Sequence, residues 1–358
     1  MPVLVKINFS TVMEDKEKKN VVSAGDNLTD YMETVIADLE KEGKFPAAHV
    51  YRSVLRSFTR FWNTPVSMRS DPTSVPNVLA PIQDVFTPER LKEYETWLTE
   101  CECSPNTIST YMRTLQAVYN RWMPPGMVNY NPILFKELYT KVESRTKRAL
   151  TAGQMRQLKT TEFCVLSLPQ QRVLACFMLM FMLRGMPFID LAHLRKQNLQ
   201  GRRIVYRRHK TGKLMVVDVP PDAFRLLQKY RNRAESEYLF PILNEASPGK
   251  ERYHLYQDTL RRFNRELARL MKKLLPGVSV SSYTARHTWA TLAYHSGTPL
   301  GLISQSLGHS SIRVTMGYLK PFDAEVIDKV NRQVIALVKG SKKKKVDSIN
   351  MLYGTLLR

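Results

Sequence analysis

A chain of 358 residues with 43% hydrophobic content is long enough to bury a sizeable core, and its length fits two domains better than one. Its 54 lysines and arginines against 32 acidic residues give a net charge of +22, which predicts a polyanionic partner. The longest apolar run, from Val173 to Leu183, is too short to cross a bilayer, and the N-terminus lacks a signal-peptide pattern. We therefore expect a cytoplasmic protein that is neither membrane-spanning nor secreted.

The first part of the chain predicts a small helical domain. Apolar residues recur at three- and four-residue steps in four segments, at about 28–42, 47–62, 88–100 and 105–123. Thr87 and Ser104 each stand directly before a proline, which is a helix-start signal. We predict an N-terminal segment over residues 1–25 and a helical domain over residues 26–140.

A basic connector follows, over residues 141–150. It carries four cations and almost nothing apolar, a composition typical of an extended segment on a charged surface. We predict that these cations contact the polyanion: Lys141, Arg145, Lys147 and Arg148.

The second domain is predicted over residues 151–322. A helix from about residue 152 and a buried helix ending near Arg184 lead to two β-rich runs that flank residues 210–213, a hairpin signal. The chain is then predicted to be helical as far as Tyr318. A C-terminal segment, 323–358, holds an apolar helical stripe from Val326 to Val338 and a lysine run at 342–345. The predicted fold class is mainly α, with a small β-hairpin sheet in a mixed α/β second domain.

The most informative residues cluster near the end of this second domain. Arg286, His309 and Tyr318 stand in an apolar, largely helical context. A phosphodiester is an anion that cations must hold, a nucleophile must attack, and an alkoxide needing a proton must leave. The sequence offers each kind of group, so it indicates chemistry on a nucleic-acid backbone.

Residues 284–320, TARHTWATLAYHSGTPLGLISQSLGHSSIRVTMGYLK, resemble two sequence boxes of the tyrosine recombinase (phage integrase) family. Arg286 matches the arginine of the second arginine box, and His309 and Tyr318 match an LGH triplet followed by a tyrosine after eight further residues. The resemblance implies a helical, SAM-like core-binding domain and a mixed α/β catalytic domain that together clamp duplex DNA.

The same resemblance implies a mechanism. Tyr318 would attack the scissile phosphorus, forming a 3′-phosphotyrosyl bond and freeing a 5′-hydroxyl, with neither nucleotide cofactor nor metal. Lys210 matches the family's hairpin lysine, which would protonate the leaving 5′-oxygen. His309 would hydrogen-bond the phosphate or orient the tyrosine.

Two positions depart from the family pattern. Tyr283 stands where the second box usually begins with histidine; it can donate a hydrogen bond but cannot carry a proton as imidazole does. The family's first arginine lies three residues before an acid, which from Asp190 falls on Pro187. Arg184 lies one helical turn earlier, on a similar face if the helix continues, and we predict that it holds the phosphate. The RGM-x-F-x-D form of this box resembles recombinases of Bacteroidetes elements and phages.

Several of these residues also have ordinary structural interpretations. Lys210 belongs to a basic run that can simply contact phosphates. Arg184 can cap its helix, Asp190 can support the fold or orient an arginine, and His287 can pack rather than act. The remaining predicted DNA contacts of the hairpin are Arg202, Arg203, Arg207, Arg208 and Lys213.

The leading hypothesis is a site-specific recombinase that acts as a homotetramer on two double-stranded DNA sites, with integration, excision or inversion as the outcome. This hypothesis includes accessory DNA-bending proteins as further partners. It also predicts a bacterial or phage-encoded protein that is associated with the nucleoid in the cytoplasm. A type IB topoisomerase, which relaxes DNA as a monomer, and a catalytically silent DNA-binding protein are the alternatives.

Overall fold

The computed structural model describes residues 27–64, 79–141, 149–243 and 249–338. The chain divides into two compact units, Met1–Glu143 and Ser144–Arg358. Both units are mainly helical in their described parts, and a single small sheet lies in the second, so the predicted fold class is confirmed. Among the predicted DNA contacts of the connector, Lys141 is exposed, whereas Arg145, Lys147 and Arg148 lie outside the described residues.

The first unit contains the four predicted helices and one short additional helix. Their bounds are α1 Leu28–Lys41, α2 Phe45–Asn63, α3 Ile82–Val85, α4 Pro88–Glu100 and α5 Pro105–Trp122. The predicted caps are present, since the side chain of Thr87 accepts from the backbone of Arg90 and that of Ser104 from the backbone of Thr107. Ends differ from prediction by one or two residues, within the fraying usual at helix termini.

The second unit interleaves helices with a three-stranded sheet. Its helices are α6 Ala152–Thr160, α7 Leu168–Met182, α8 Phe188–His193, α9 Pro221–Tyr230, α10 Lys250–Leu274, α11 Ser282–His295, α12 Leu300–Leu307, α13 Ile312–Met316 and α14 Ala324–Val338. Its strands are β1 Leu199–Gln200, β2 Arg203–Arg207 and β3 Leu214–Asp218. Short 3-10 turns at Phe163–Val165 and Lys196–Asn198 complete the set.

The largely apolar helix α7 forms the centre of this unit. Leu174, Phe177 and Leu179 are fully buried, and the helix packs against α9, α10 and α11. A helix that is apolar on most of its faces is stable only when other elements surround it. Helix α7 therefore fixes the position of α11, which carries three of the predicted site residues, Tyr283, Arg286 and His287.

The sheet is antiparallel, in the order β1-β2-β3, with Val205 opposite Val216 and Arg207 opposite Leu214. Because side chains alternate between the faces of a strand, Ile204 and Tyr206 face the core while their neighbours point outward. The predicted hairpin is confirmed, and its turn over residues 208–213 carries Lys210.

The apolar stripe of α14 is not covered by any described part of this chain. Val326, Ile327, Val330 and Val334 are between 44% and 57% exposed, and the described part of the stripe stops before Val338. No helix among the described residues is long and apolar enough to cross a membrane.

Candidate active site

Helix α11 presents one face of the site. Tyr283, Arg286 and His287 are three and four residues apart, a spacing that places side chains on the same side of a helix. The helix begins with a capping box, in which the side-chain hydroxyl of Thr284 accepts from the backbone N–H of Ser281 at 3.0 Å. This start fixes where the three site residues lie along the helix.

Arg286 is the most buried large polar side chain of the unit, at 2% exposure. Its Nη1 donates to the carbonyl of Gly185 at 2.8 Å, and its Nη2 donates to the carbonyl of Leu307 at 2.6 Å and to His309 Nε2 at 2.9 Å. Its Nε has no partner, and it forms no ion pair with any carboxylate in the described part of the chain. Burial, and secondly the charge of Arg208, lower the pKa of Arg286. A buried cation without a counter-ion is costly, so this guanidinium is suited to receiving an anion.

His309 lies directly after a left-handed residue, Gly308, with φ of +66°. Its Nδ1 is 2.8 Å from Thr315 Oγ1 on α13. Because the guanidinium of Arg286 can only donate, His309 Nε2 accepts, and the ring hydrogen is therefore on Nδ1. Burial and then the nearby cations lower the pKa of His309 to about 4, so the imidazole is neutral at pH 7.

Tyr318 follows α13 and is half-buried against these groups. Its ring centroid is 4.8 Å from that of His309 and 5.0 Å from that of His287, and Cζ of Arg286 lies 5.4 Å from it. The carbonyl of Tyr318 accepts a hydrogen bond from His287 Nδ1 at 3.1 Å. His287 thus supports the backbone that carries the predicted nucleophile.

Tyr283 is the hydrogen-bond partner of this nucleophile. The two hydroxyl oxygens of Tyr283 and Tyr318 are 2.8 Å apart and their rings stack with centroids 5.9 Å apart. Burial, and secondly the bond to Tyr318, raise the pKa of Tyr283 to about 12. Tyr283 therefore remains protonated, and can donate or accept, throughout the range in which a histidine would lose its proton.

Arg184 does not lie on a continuing helix, as the sequence analysis expected. Helix α7 ends at Met182, and Arg184 lies beyond it in the left-handed region with φ of +59°, so the helical turn invoked from Pro187 does not exist. Its Nη1 donates to the carbonyl of Val216 on β3 at 3.3 Å. Gly185, which follows it, approaches Arg286 closely, and a Cβ there would lie 3.1 Å from Arg286 Cα.

Five of the six cations predicted on the hairpin are exposed, in agreement with a surface that meets an anion. They are Arg202, Arg203, Arg207, Lys210 and Lys213. The charges of Lys210 and Lys213 contribute to the low pKa of His309. Arg203 pairs with Asp218 across the strands.

Arg208 is the exception, at 7% exposure. Its Nε forms an ion pair at 3.4 Å with Asp190, itself buried on α8. The burial of Arg208 follows from strand alternation, because Arg208 continues the inward face of Ile204 and Tyr206. Its guanidinium is therefore not available as the exposed phosphate contact that the sequence predicted. The alternation was visible in the sequence, whereas nothing there pointed to the bond between Thr315 and His309.

The described residues contain no group of three or more His, Cys, Asp or Glu side chains able to hold a metal ion.

Comparison with known proteins gives matches for both units. The model of the phage integrase SAM-like domain matches residues 27–138. A tyrosine recombinase XerC-like protein of Caldanaerobacter subterraneus subsp. tengcongensis is 24% identical over 263 residues, covering 63% of this chain and 65% of the relative. The chain thus spans just under two thirds of that relative's length.

Solved structures show the same fold at low identity. The Tn1549 transposon integrase in complex with a circular intermediate DNA has a TM-score of 0.55 at 16% identity, covering 86% of this chain and 100% of its own. XerH bound to difH substrate has a TM-score of 0.55 at 15% identity, with 85% and 83% covered. A lambda integrase dimer bound to a COC′ core site has a TM-score of 0.56 at 14% identity, with 90% and 80% covered.

The model of the phage integrase family itself matches residues 149–325, the stretch that contains Arg286, His309 and Tyr318. With a SAM-like domain model before it and a recombinase among its curated relatives, the chain belongs to the phage integrase family.

Proposed function

We propose that this protein is a site-specific DNA recombinase that cuts and rejoins strands through a 3′-phosphotyrosyl intermediate. One observation carries the proposal: Arg286 is buried with no carboxylate partner among the described residues, and its guanidinium lies beneath the ring of Tyr318. A cation that lacks a counter-ion beside a hydroxyl nucleophile is the arrangement that a phosphodiester would complete.

The proposed reaction begins with the hydroxyl of Tyr318 attacking phosphorus, so that a tyrosyl O–P bond forms and the bond to the 5′-oxygen breaks. Arg286 and Arg184 hold the non-bridging oxygens, because guanidinium groups engage two oxygens at once and stay charged throughout. Lys210 protonates the leaving 5′-oxygen. Rejoining needs no nucleotide cofactor, because the ester bond to Tyr318 retains the energy of the broken bond.

His309 and Tyr283 orient the nucleophile in this scheme. A phosphate that takes over the Nη2 donor of Arg286 releases Nε2 of His309, which can then accept from the hydroxyl of Tyr318. Tyr283 is already bonded to that hydroxyl, and its phenol can donate to a phosphate oxygen once the bond is exchanged. Neither group changes its charge near pH 7.

Binding to duplex DNA is proposed to use cations of the connector and of the hairpin. The solved structures of the same fold that are bound to DNA include two integrases and one site-specific recombinase. We assign phosphate contacts to the connector and to the outer face of the hairpin: Lys141, Arg145, Lys147, Arg148, Arg202, Arg203, Arg207 and Lys213. Affinity should then fall steeply as the salt concentration rises.

Assembly is proposed to involve α14. No described residue of the chain covers the apolar side chains of this helix, which favours docking on a neighbouring copy within a homotetramer on two sites. A topoisomerase acting as a monomer has no use for such a helix. Accessory DNA-bending proteins fit the same scheme, and the reaction is assigned to the bacterial cytoplasm, at the nucleoid.

A suicide substrate tests the proposal. Duplexes selected by binding from random sequence, or carrying inverted repeats that flank the gene, are nicked near the scissile position so that cleavage cannot be reversed. We expect an SDS-resistant, protease-sensitive adduct and strand exchange between two duplexes. An adduct without exchange would favour the topoisomerase, and binding without any adduct would favour the catalytically silent protein.

A further inference from the structure

Arg208 stands apart from the other cations of the hairpin. Arg208 directly follows β2 and continues the inward-facing side of that strand into the turn. Its side chain is buried, whereas the side chains of Arg207 and His209 on either side are exposed. Burying a guanidinium is costly unless its donors are satisfied. Its partners therefore indicate what this position does.

The guanidinium of Arg208 ties two segments together. Nη1 donates to the carbonyls of Leu307 and Gly308, each at 3.0 Å, and Nε faces Asp190 Oδ2 at 3.4 Å. The other carboxylate oxygen of Asp190 accepts from the backbone of His209 at 2.9 Å. Arg208 thus connects α8 and the hairpin to the turn immediately before His309.

Gly308 makes this contact sterically feasible. A Cβ at Gly308 would lie 2.8 Å from Arg208 Cδ and 2.7 Å from Met215 Sδ, and φ at this residue is +66°. Both the left-handed backbone and the close approach of the arginine therefore require glycine. The glycine of the LGH triplet therefore leaves the space that the Arg208 side chain occupies.

The same turn receives the second buried arginine. Nη2 of Arg286 donates to the carbonyl of Leu307, the oxygen that Arg208 also engages. Arg184, by contrast, donates to a strand carbonyl. The two guanidinium groups that converge beneath the histidine are therefore those of Arg286 and Arg208.

We propose that Arg208 is a positioning residue, whose guanidinium holds the turn before His309 and so fixes the imidazole against Arg286. The role is indirect, since Arg208 acts through the turn and through its charge. The inference rests on the proposed function, because it concerns the geometry in which cleavage occurs.

Electrostatics around the imidazole agree with this role. The charged groups that lower the pKa of His309 are Arg286 from α11 and Arg208, Lys210 and Lys213 from the hairpin. The ring of Tyr318 packs against the imidazole, and α13 contributes the hydroxyl of Thr315. Burial and these cations keep His309 neutral. Loss of Arg208 should remove one of the cations and loosen the turn, and each change favours protonation of the ring.

The test compares Arg208→Met with Arg225→Met, an exposed arginine of α9 that serves as the matched control. Wild-type protein is first required to form the adduct, so failure of the proposed function would be seen before the variants are compared. We expect Arg208→Met to cleave the nicked duplex on the order of 10² more slowly, the loss typical of a misplaced catalytic group, with binding nearly unchanged. Arg225→Met should bind and cleave like the wild type.

The second measurement is the pKa of His309, followed by nuclear magnetic resonance of its ring. A general loosening of the fold would not change this pKa. It should titrate near pH 4 in the wild type and in Arg225→Met, and closer to the ordinary 6.5 in Arg208→Met. Arg208→Lys should keep the low value and recover part of the rate, because the charge remains although the two-carbonyl fork is lost.

Two results would overturn the proposal. One is an Arg208→Met protein that is folded, cleaves at the wild-type rate and leaves the titration of His309 unchanged. The other needs no variant, and so applies even if the methionine protein fails to fold: titration of His309 near 6.5 in the wild type would show that the arginine pair does not hold the imidazole as described.

Discussion

The hydroxyl-to-hydroxyl contact of Tyr283 and Tyr318 gives a sharp test of which tyrosine is the nucleophile. Replacing Tyr318 by phenylalanine removes one hydroxyl and leaves the ring contacts with His309, His287 and Arg286 in place. The variant loses a single hydrogen bond of 2.8 Å between partly exposed groups. Such a bond is worth about 0.5–1.5 kcal/mol net.

This loss should barely affect folding. In a domain of roughly 150–250 residues, 1 kcal/mol shifts Tm by about 2–4 °C, so a drop of a few degrees is expected. DNA binding should be close to that of the wild type because Arg286 is retained. Cleavage should be abolished, since the only change at the reacting centre is the loss of the attacking oxygen.

Tyr283→Phe is the matched control, because it breaks the same hydrogen bond from the other side. Both variants should melt at similar temperatures, but only Tyr283→Phe should still form the SDS-resistant adduct on the nicked duplex, more slowly than the wild type. An adduct formed by Tyr318→Phe and absent from Tyr283→Phe would refute the assignment and make Tyr283 the nucleophile.

Four further outcomes are expected. Arg184→Ala should cleave about 10²-fold more slowly, as when one transition-state donor is lost. Near-normal cleavage would mean that Arg184 only bonds the carbonyl of Val216 and does not hold the phosphate. Lys210→Ala should cleave a 5′-bridging sulfur substrate much better than the oxygen one, because a thiolate leaves without a proton; equal defects would make the lysine purely electrostatic. Truncation after Phe322 should give a folded protein that binds one site but forms no two-site complex, whereas unfolding would mean that α14 packs in cis. The unfolded chain binds a proton at His309 at a higher pH than the folded chain does, so the contribution of this residue to the free energy of unfolding should be full above pH 6.5. It should fall by at most about 1.4 kcal/mol per pH unit toward pH 4. Denaturant titrations of His309→Gln should lack this contribution.

Much of the architecture followed from local pattern. The caps at Thr87 and Ser104, the apolar period of α5 and the hairpin around residues 210–213 depend on residues close in sequence, so the chain alone specifies them. The spacing of Arg286, His309 and Tyr318 was equally local, and the structure brings these three side chains together.

What the sequence could not decide depends on distant segments meeting. The helix break after Met182 placed Arg184 at a strand carbonyl, and the bond from Thr315 to His309 depends on how α13 folds back. Arg208 shows the difference most clearly. Strand alternation, a property of the sequence, turned it inward, but only the approach of a glycine one hundred residues away gave its guanidinium the carbonyls that make burial tolerable. A charge in a basic run is exposed or buried according to the partners that the tertiary structure supplies.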